Sequence, residues 1–136
     1  MVLHDPQGVL AALRVRLEPY PPALRAALLQ RFLFEASFAL DTSRKSASTR
    51  GDVLHFAGSA FQCVSALVQV LYALNARWFL NEKGSLRAAG AMPLVPTGFA
   101  ERCERVLASL GPDLEGSLQA LDWLVGEVRA LVDAAS

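Results

Sequence analysis

The stretch Val53–Ala76, VLHFAGSAFQCVSALVQVLYALNA, decides the fold, because it runs for more than six helical turns without a Lys, Arg, Asp or Glu. A stretch of this kind is long enough to cross a bilayer. It also carries a row of polar side chains at steps of four and three residues, which places them on one face of a helix. The members of this polar row are His55, Ser59, Gln62, Ser65, Gln69 and Tyr72. Placing these polar side chains in lipid would be energetically unfavourable, whereas neighbouring helices could offer them hydrogen bonds. We therefore predict a buried central helix and no membrane span.

Two helices are predicted before this central helix. Apolar residues within Gly8–Glu18 form a short helical stripe, and the run Tyr20–Pro22 then breaks the chain. Pro22 suits a first helical turn, so a longer helix is predicted from there to residue 42 or beyond. The polar stretch Thr42–Thr49 fits either a basic last turn of that helix or a loop.

Capping and breaking residues predict how the next helices begin and end. The Asp52 carboxylate is placed to accept backbone N–H groups as the N-cap of the central helix. That helix is predicted to end around Trp78–Leu80, ahead of a short helix over Ser85–Ala91. Thr97 is the predicted cap of the helix after it, which Gly111 and Pro112 stop.

The last helix has the clearest pattern in the chain. Its leucines and valines recur at steps of four and three from Leu114 to Val132, which is typical of one seam of a helical bundle. The sequence gives almost no strand signal and contains no internal repeat. We therefore predict an all-α fold, an up-and-down bundle of four main helices plus short accessory helices, formed as a single domain by residues 1–136.

Composition and charge narrow the classes of partner. The 13 basic and 13 acidic residues balance, so there is no strong signal for binding nucleic acid or an anionic membrane. Hydrophobic residues make up 53% of the chain and charged residues 19%. This surplus of apolar surface predicts a protein partner, and self-association as a homodimer when the chain is isolated. The N-terminus lacks the pattern of a signal peptide, so we predict a cytoplasmic location.

Residues suited to metal or nucleophilic chemistry are few. His4 and His55 do not cluster with other ligands, so no metal site is predicted. Cys63 and Cys103 lie among apolar residues and are predicted to be reduced, packed thiols. The phosphate-binding patterns GxGxxG and GxxxxGK[ST] and the nucleophile elbow GxSxG are all missing. These absences disfavour nucleotide-fold enzymes and hydrolases, and we assign no catalytic residue on this evidence.

Arg50 and His55 offer one catalytic alternative. With four residues between them, they resemble the Arg-x4-6-His signature of the HEPN family of helical ribonucleases, in which the histidine does acid and base work on RNA. The same spacing arises often by chance, and His55 equally begins the polar row. A HEPN-type ribonuclease is therefore one alternative function, and a non-catalytic helical interaction module is another.

Four segments, taken in order, carry a further resemblance. They are Asp5-Pro6, Tyr20–Leu24, Arg50-Gly51-Asp52 and Arg77–Gly84, which reads RWFLNEKG. Together they resemble the C-terminal helical half of bacterial nucleotidyltransferase-like proteins of the polymerase-β superfamily, over about residues 4 to 110. In such proteins an N-terminal α/β domain holds the catalytic metal through an Asp-x-Asp arrangement, which this chain lacks.

The resemblance implies an accessory domain rather than a complete enzyme. It implies that the chain binds substrate or nucleotide beside a nucleotidyltransferase catalytic domain, either fused or separate, and that residues 1–6 are the remnant of a linker. It implies no cofactor in this chain, with Mg²⁺ and a nucleoside triphosphate expected only together with the catalytic domain.

The site residues implied by the resemblance flank the central helix. They are Arg50 and Asp52 at its start and Asn81, Glu82 and Lys83 after it. Lys83 could neutralise triphosphate oxygens, and Glu82 or Asp52 could orient an acceptor hydroxyl. Alternatively, Asp52 caps its helix, and Arg50 pairs with Glu82 or another acid to lock the bundle.

A second group of residues is a candidate lining of a cleft. Its members are His55, Gln62, Gln69, Tyr72 and Trp78. The alternative is that the polar row forms a hydrogen-bonded seam inside the bundle, which the sequence slightly favours.

Overall fold

The protein is an all-α bundle. The computed structural model describes residues 6–49, 52–111 and 113–135, and within these ranges it has six helices and no strand. The helices are α1 (Val9–Leu17), α2 (Pro22–Thr49), α3 (Val53–Leu74), α4 (Ser85–Gly90), α5 (Phe99–Ala108) and α6 (Leu114–Ala134). The predicted fold class is confirmed, with α2, α3, α5 and α6 as the main helices and α1 and α4 as the accessory ones.

Helices α3 and α6 form the centre of the bundle. Each packs against the other and against both α2 and α5, whereas α2 and α5 do not meet. The short helix α4 packs on α3 and α5. Helix α1 packs on no other helix, and none of its residues is buried.

Helix α3 supplies the largest part of the core. Its side chains Phe56, Leu67 and Leu71 are fully buried. By length and composition it is the one helix among the described residues that could cross a membrane, but 61% of its apolar window is buried inside the bundle. Packing against neighbouring helices therefore accounts for its apolar composition.

The C-terminal end of α3 corrects one prediction. The helix ends at Leu74, rather than around Trp78–Leu80. Ala76 has a φ of 51°, and the N–H groups of Ala76 and Arg77 donate to the carbonyls of Ala73 (3.1 Å) and Tyr72 (2.8 Å). This is a Schellman motif, in which one left-handed residue reverses the chain. The Asn75 side chain holds the turn, because its amide exchanges two hydrogen bonds of 2.9 Å with the backbone of Leu94.

The structure also settles the end of α2, which the sequence left open, and corrects the predicted start of α5. The stretch Thr42–Thr49, left open between helix and loop, completes α2 as helix. Thr97 does not cap α5, because the N-cap is Gly98, with a φ of 64° and no side-chain hydrogen bond. Only glycine adopts that backbone conformation without strain, so the chain enters α5 through a turn rather than through a threonine cap.

An ion pair fastens α5 to α6. The Arg102 guanidinium donates to both oxygens of Glu127, at 2.7 Å each. These hydrogen bonds hold the pKa of the Glu127 carboxyl below its ordinary value. Because both side chains are partly exposed, the pair fixes the register of the helices more than it stabilises them.

Candidate functional site

A groove of about 650 Å³ lies between α2, α3 and the segment from Phe79 to Leu86. Most of its lining residues come from α3 and α2, and the others from the Phe79–Leu86 segment and α5. Leu107 is the α5 residue that lines it. A volume of this size is in the range of small-molecule binding sites.

Three phenylalanines make the mouth of the groove strongly apolar. Phe34 and Phe38 lie one helical turn apart on α2 with their rings stacked, the centroids 6.4 Å apart, and Phe61 projects from α3. Their side chains are 70%, 66% and 61% exposed. An exposed aromatic patch of this kind is a candidate binding surface.

The polar groups of the groove are two carboxylates, two amides and two hydroxyls. Glu35 lies on α2, Gln62 and Gln69 lie on α3, and Glu82 lies on the Phe79–Leu86 segment. Glu35 Oε1 accepts a hydrogen bond of 2.9 Å from Arg31. No Lys or Arg is among the described residues that line the groove, so its local charge is acidic. Such a lining can hydrogen-bond hydroxyl or amino groups and disfavours phosphate.

The structure brings together part of the residue set that sequence reasoning selected. Gln62, Gln69 and Glu82 all line the groove. Asn81 and Lys83, on either side of Glu82, are exposed and do not line it. The polar row is therefore no buried seam, because Ser59 is its one buried member and bonds back to the carbonyl of His55 at 3.0 Å.

Asp52 lies apart from the groove. It is at the N-terminus of α3, nine residues before Phe61, the first α3 residue that lines the groove, which is about 13 Å along the helix axis. Arg50 lies outside the described residues. Asp52 and the segment Asn81–Lys83 therefore do not meet at one site in this chain.

Asp52 has a clear structural role, since its carboxylate accepts the His55 N–H at 3.1 Å as the N-cap of α3. Replacing it by alanine is expected to lower the free energy of unfolding by about 1 kcal/mol, because a helix N–H loses its partner. Urea unfolding followed by circular dichroism measures this. The control is Asp52→Asn, which keeps a capping oxygen without the charge and should remain near wild type. An equal loss in both variants would mean that the charge, rather than the cap, matters.

His55 is exposed at the same end of α3 and lines neither the groove nor the smaller cleft described below. Its Nδ1 is hydrogen-bonded to the Ser46 hydroxyl of α2, which also donates to the carbonyl of Thr42 at 2.9 Å. This contact ties α3 to α2. The ribonuclease alternative stays a prediction, because its other residue, Arg50, is not described.

Tyr72 and Trp78 line a second, smaller cleft of about 480 Å³ beyond the end of α3, together with Arg77. The Trp78 ring packs on Tyr20 at a tilt of 39°, with centroids 4.4 Å apart, and Tyr72 meets Phe79 edge to face. Burial raises the pKa of the Tyr20 phenol. Of the candidate cleft-lining residues, Gln62 and Gln69 therefore line the groove, Tyr72 and Trp78 line the smaller cleft, and His55 lines neither.

Sequence reasoning missed the phenylalanines of the groove. Phe34 and Phe38 lie on one side of α2 and Phe32 on another, so the helix is apolar over much of its circumference. The sequence did contain one signal, the apolar residues on more than one side of α2. Each apolar side of a helix needs a contact that buries it. Among the described helices, α3 and α6 are the ones that pack on α2.

Fold and site together define a class, an all-helical domain with an apolar, acid-rimmed groove that is open to solvent. The chain belongs to the family described as Domain of unknown function (DUF4037), whose model matches residues 1–83. The matched range holds α1, α2 and α3 and continues through Lys83, so it contains all of the groove except Ser85, Leu86 and Leu107. No curated protein and no solved structure matches the chain.

Proposed function

We propose that this chain is the accessory, substrate- and nucleotide-binding helical domain of a nucleotidyltransferase-like protein. The catalytic metal and its carboxylates would lie on a separate or fused α/β domain, so this chain alone would not transfer nucleotides. The observation that carries the proposal is the groove, in which three residues selected from sequence, Gln62, Gln69 and Glu82, line a cavity of ligand size. Among the described residues no cluster of His, Cys, Asp or Glu could hold a metal.

The acceptor substrate, rather than the triphosphate, suits the groove. Its aromatic mouth favours an apolar body, and its glutamine amides and carboxylates favour hydroxyl or amino groups on that body. A triphosphate would meet Glu35 and Glu82 there, and no Lys or Arg is among the described residues that line the groove. Glu82 is placed to accept a proton or a hydrogen bond from an acceptor hydroxyl.

The nucleotide would lie outside the groove, at the exposed Lys83. An ammonium at this position can neutralise phosphate oxygens without entering the acidic cavity. Mg²⁺ and most of the triphosphate contacts would come from the catalytic domain. Binding of nucleotide by the isolated chain should therefore be weak.

Isothermal titration of the chain with MgATP tests this proposal. We expect a dissociation constant of about 1 mM, and about tenfold weaker binding for Lys83→Ala, because one ammonium–phosphate contact is lost. Lys45→Ala is the matched control, since it removes the same charge from α2 six residues beyond Ala39, the last α2 residue that lines the groove. Absence of binding by the wild type, or an equal loss in both variants, would contradict a nucleotide role for Lys83.

A further inference from the structure

The groove collects most of the phenylalanines of the chain. Five of the seven line it, namely Phe32, Phe34, Phe38, Phe61 and Phe79. Three of these five expose more than half of the side chain to solvent. The face of a phenylalanine ring carries a partial negative charge, so an open ring attracts a cation as well as apolar atoms. The aromatic lining therefore suits a ligand that has both an apolar body and a positive charge.

Three hydrogen bonds between α2 and α3 fix how the two helices lie alongside each other. They join Arg25 to Leu74, Ala36 to Cys63 and Ser46 to His55. In each pair the two residue numbers add up to about 100, so the helices are antiparallel and one register holds along their length. Glu35 of α2 is therefore level with Ser65 of α3. This places its carboxylate midway along the α3 face that carries Gln62 and Gln69.

Two carboxylates give the groove its charge. The Glu82 carboxylate has no hydrogen bond or ion pair within the part of the chain that the structure describes. Glu35 accepts a hydrogen bond from Arg31, whose guanidinium carbon also lies 5.5 Å from the centroid of the Phe32 ring. Arg31 does not itself line the groove. Its guanidinium nevertheless shows how a cation can contact a carboxylate and a ring of the lining at the same time.

Helix α3 adds hydrogen-bond acceptors to this charge. Gln62, Ser65 and Gln69 recur at steps of three and four, so they share one face of the helix, and all three line the groove. None of the three side chains has a hydrogen-bond partner among the described residues. An ammonium group donates three hydrogen bonds and accepts none, so it matches a site of carboxylates, amide oxygens and a hydroxyl. A neutral hydroxyl group would use the same acceptors but would not benefit from the charge.

We propose that the groove binds a positively charged amine whose aryl or alkyl body is no longer than about 12 Å, the rise of α3 from Phe61 to Gln69. The body lies among the phenylalanines, and the carboxylates of Glu35 and Glu82 hold the ammonium. The proposal rests on the proposed function, since it names the class of acceptor substrate that the groove would hold. The ammonium serves recognition only, because a protonated amine has no free electron pair with which to attack a nucleotide.

Isothermal titration of the full chain with 4-phenylbutylamine and with 4-phenylbutan-1-ol tests the preference for a charge. The two probes share one body, and at pH 7.5 the amine is protonated because its pKa is near that of a lysine side chain, about 10.4. We expect a dissociation constant of about 0.1 mM for the amine and a value about tenfold larger for the alcohol, which lacks the charge. The anion 4-phenylbutanoate should not bind measurably, because the carboxylates repel it.

Variants assign this preference to the two carboxylates. Glu35→Gln combined with Glu82→Gln should weaken amine binding about tenfold and leave alcohol binding unchanged, so that both probes bind alike. Glu115→Gln is the matched control, because Glu115 is exposed on α6, which contributes no residue to the groove. Phe61→Ala should weaken both probes by the same factor, about fivefold, since it removes a ring and no charge. None of these four side chains is buried, so every variant should keep the wild-type circular dichroism.

The outcomes separate this proposal from the proposed function. Equal affinity of the wild type for the amine and the alcohol would overturn the charge preference and leave the groove as an acceptor site. A preference that survives in the double variant would also overturn it, because the charge would then lie elsewhere. If neither probe binds, the groove is not a small-molecule site, and a dimer that Phe61→Ala weakens in sedimentation would assign it to a second copy of the chain. The titration with MgATP tests the nucleotide role independently of all these results.

Discussion

Replacing Leu67 by alanine is expected to lower the free energy of unfolding by about 2–5 kcal/mol, because the substitution opens a cavity at the centre of the bundle. Leu67 is 0% exposed and lies on the central helix α3, which packs on every helix but α1. Chemical unfolding monitored by circular dichroism gives the value. If the free energy of unfolding falls with denaturant concentration at the same slope as in the wild type, the variant has lost stability without a change in the compactness of its folded or unfolded state.

Leu54→Ala is the matched control. It makes the same substitution on the same helix, but at a side chain that is 85% exposed. Its effect should stay within about 0.5 kcal/mol. Similar losses at both positions would mean that helix propensity, rather than core packing, sets the stability of α3, and would argue against the central position of Leu67.

The order and type of the helices could be predicted from the sequence because local signals agreed with the tertiary packing. The uncharged run of α3 needed burial on most sides, and the Asp52 cap fixed its start. In α6 the leucine and valine spacing gave one apolar face, and that face is the buried one. When local pattern and global fold agree in this way, the fold can be predicted from the sequence.

The end of α3 could not be predicted because nothing in its composition stops it. Ala76 takes a left-handed conformation that is uncommon for a residue with a side chain. The stop depends on Asn75, whose amide is held by Leu94, nineteen residues along the chain. A tertiary contact therefore decides the boundary, and local propensity does not contain that information.

The candidate site was predictable only in part for a related reason. Helical spacing correctly placed Gln62 and Gln69 on one face of α3, but it could not indicate whether that face meets water or another helix. Likewise, Asp52 and Glu82 were grouped because both belong to segments that resemble one family. Their separation follows from the length of α3, which lies between them in the chain.

The two thiols should be almost inert in the folded protein. Cys63 and Cys103 are both 0% exposed, and burial raises the pKa of each thiol to about 12. The Cys63 thiol also donates a hydrogen bond of 3.4 Å to the carbonyl of Ala36. At pH 8 a pKa of about 12 instead of 9 lowers the reactive thiolate fraction about a thousandfold, before any steric exclusion of the reagent.

Labelling with a disulfide reagent at pH 8, with and without denaturant, measures this protection. Two thiols should react rapidly after unfolding and hardly at all before it, and fast labelling of the native protein would contradict their burial. The raised pKa also has a consequence for stability. Neutral buried thiols favour the folded state below pH 9, and that contribution is lost as the pH rises from 9 towards 12, because the unfolded chain ionises first.

Thiol labelling in the Leu67→Ala variant joins the two predictions. If the native thiols react only through global opening, labelling accelerates by the same factor as the unfolding equilibrium constant, about 30- to 5,000-fold for a loss of 2–5 kcal/mol. Leu54→Ala should change the labelling rate little. A Leu67→Ala variant that is destabilised but labelled no faster would show that the thiols become accessible through a local opening that leaves α3 in place. In that case the labelling rate of Cys63 and Cys103 would not measure the global unfolding of the core.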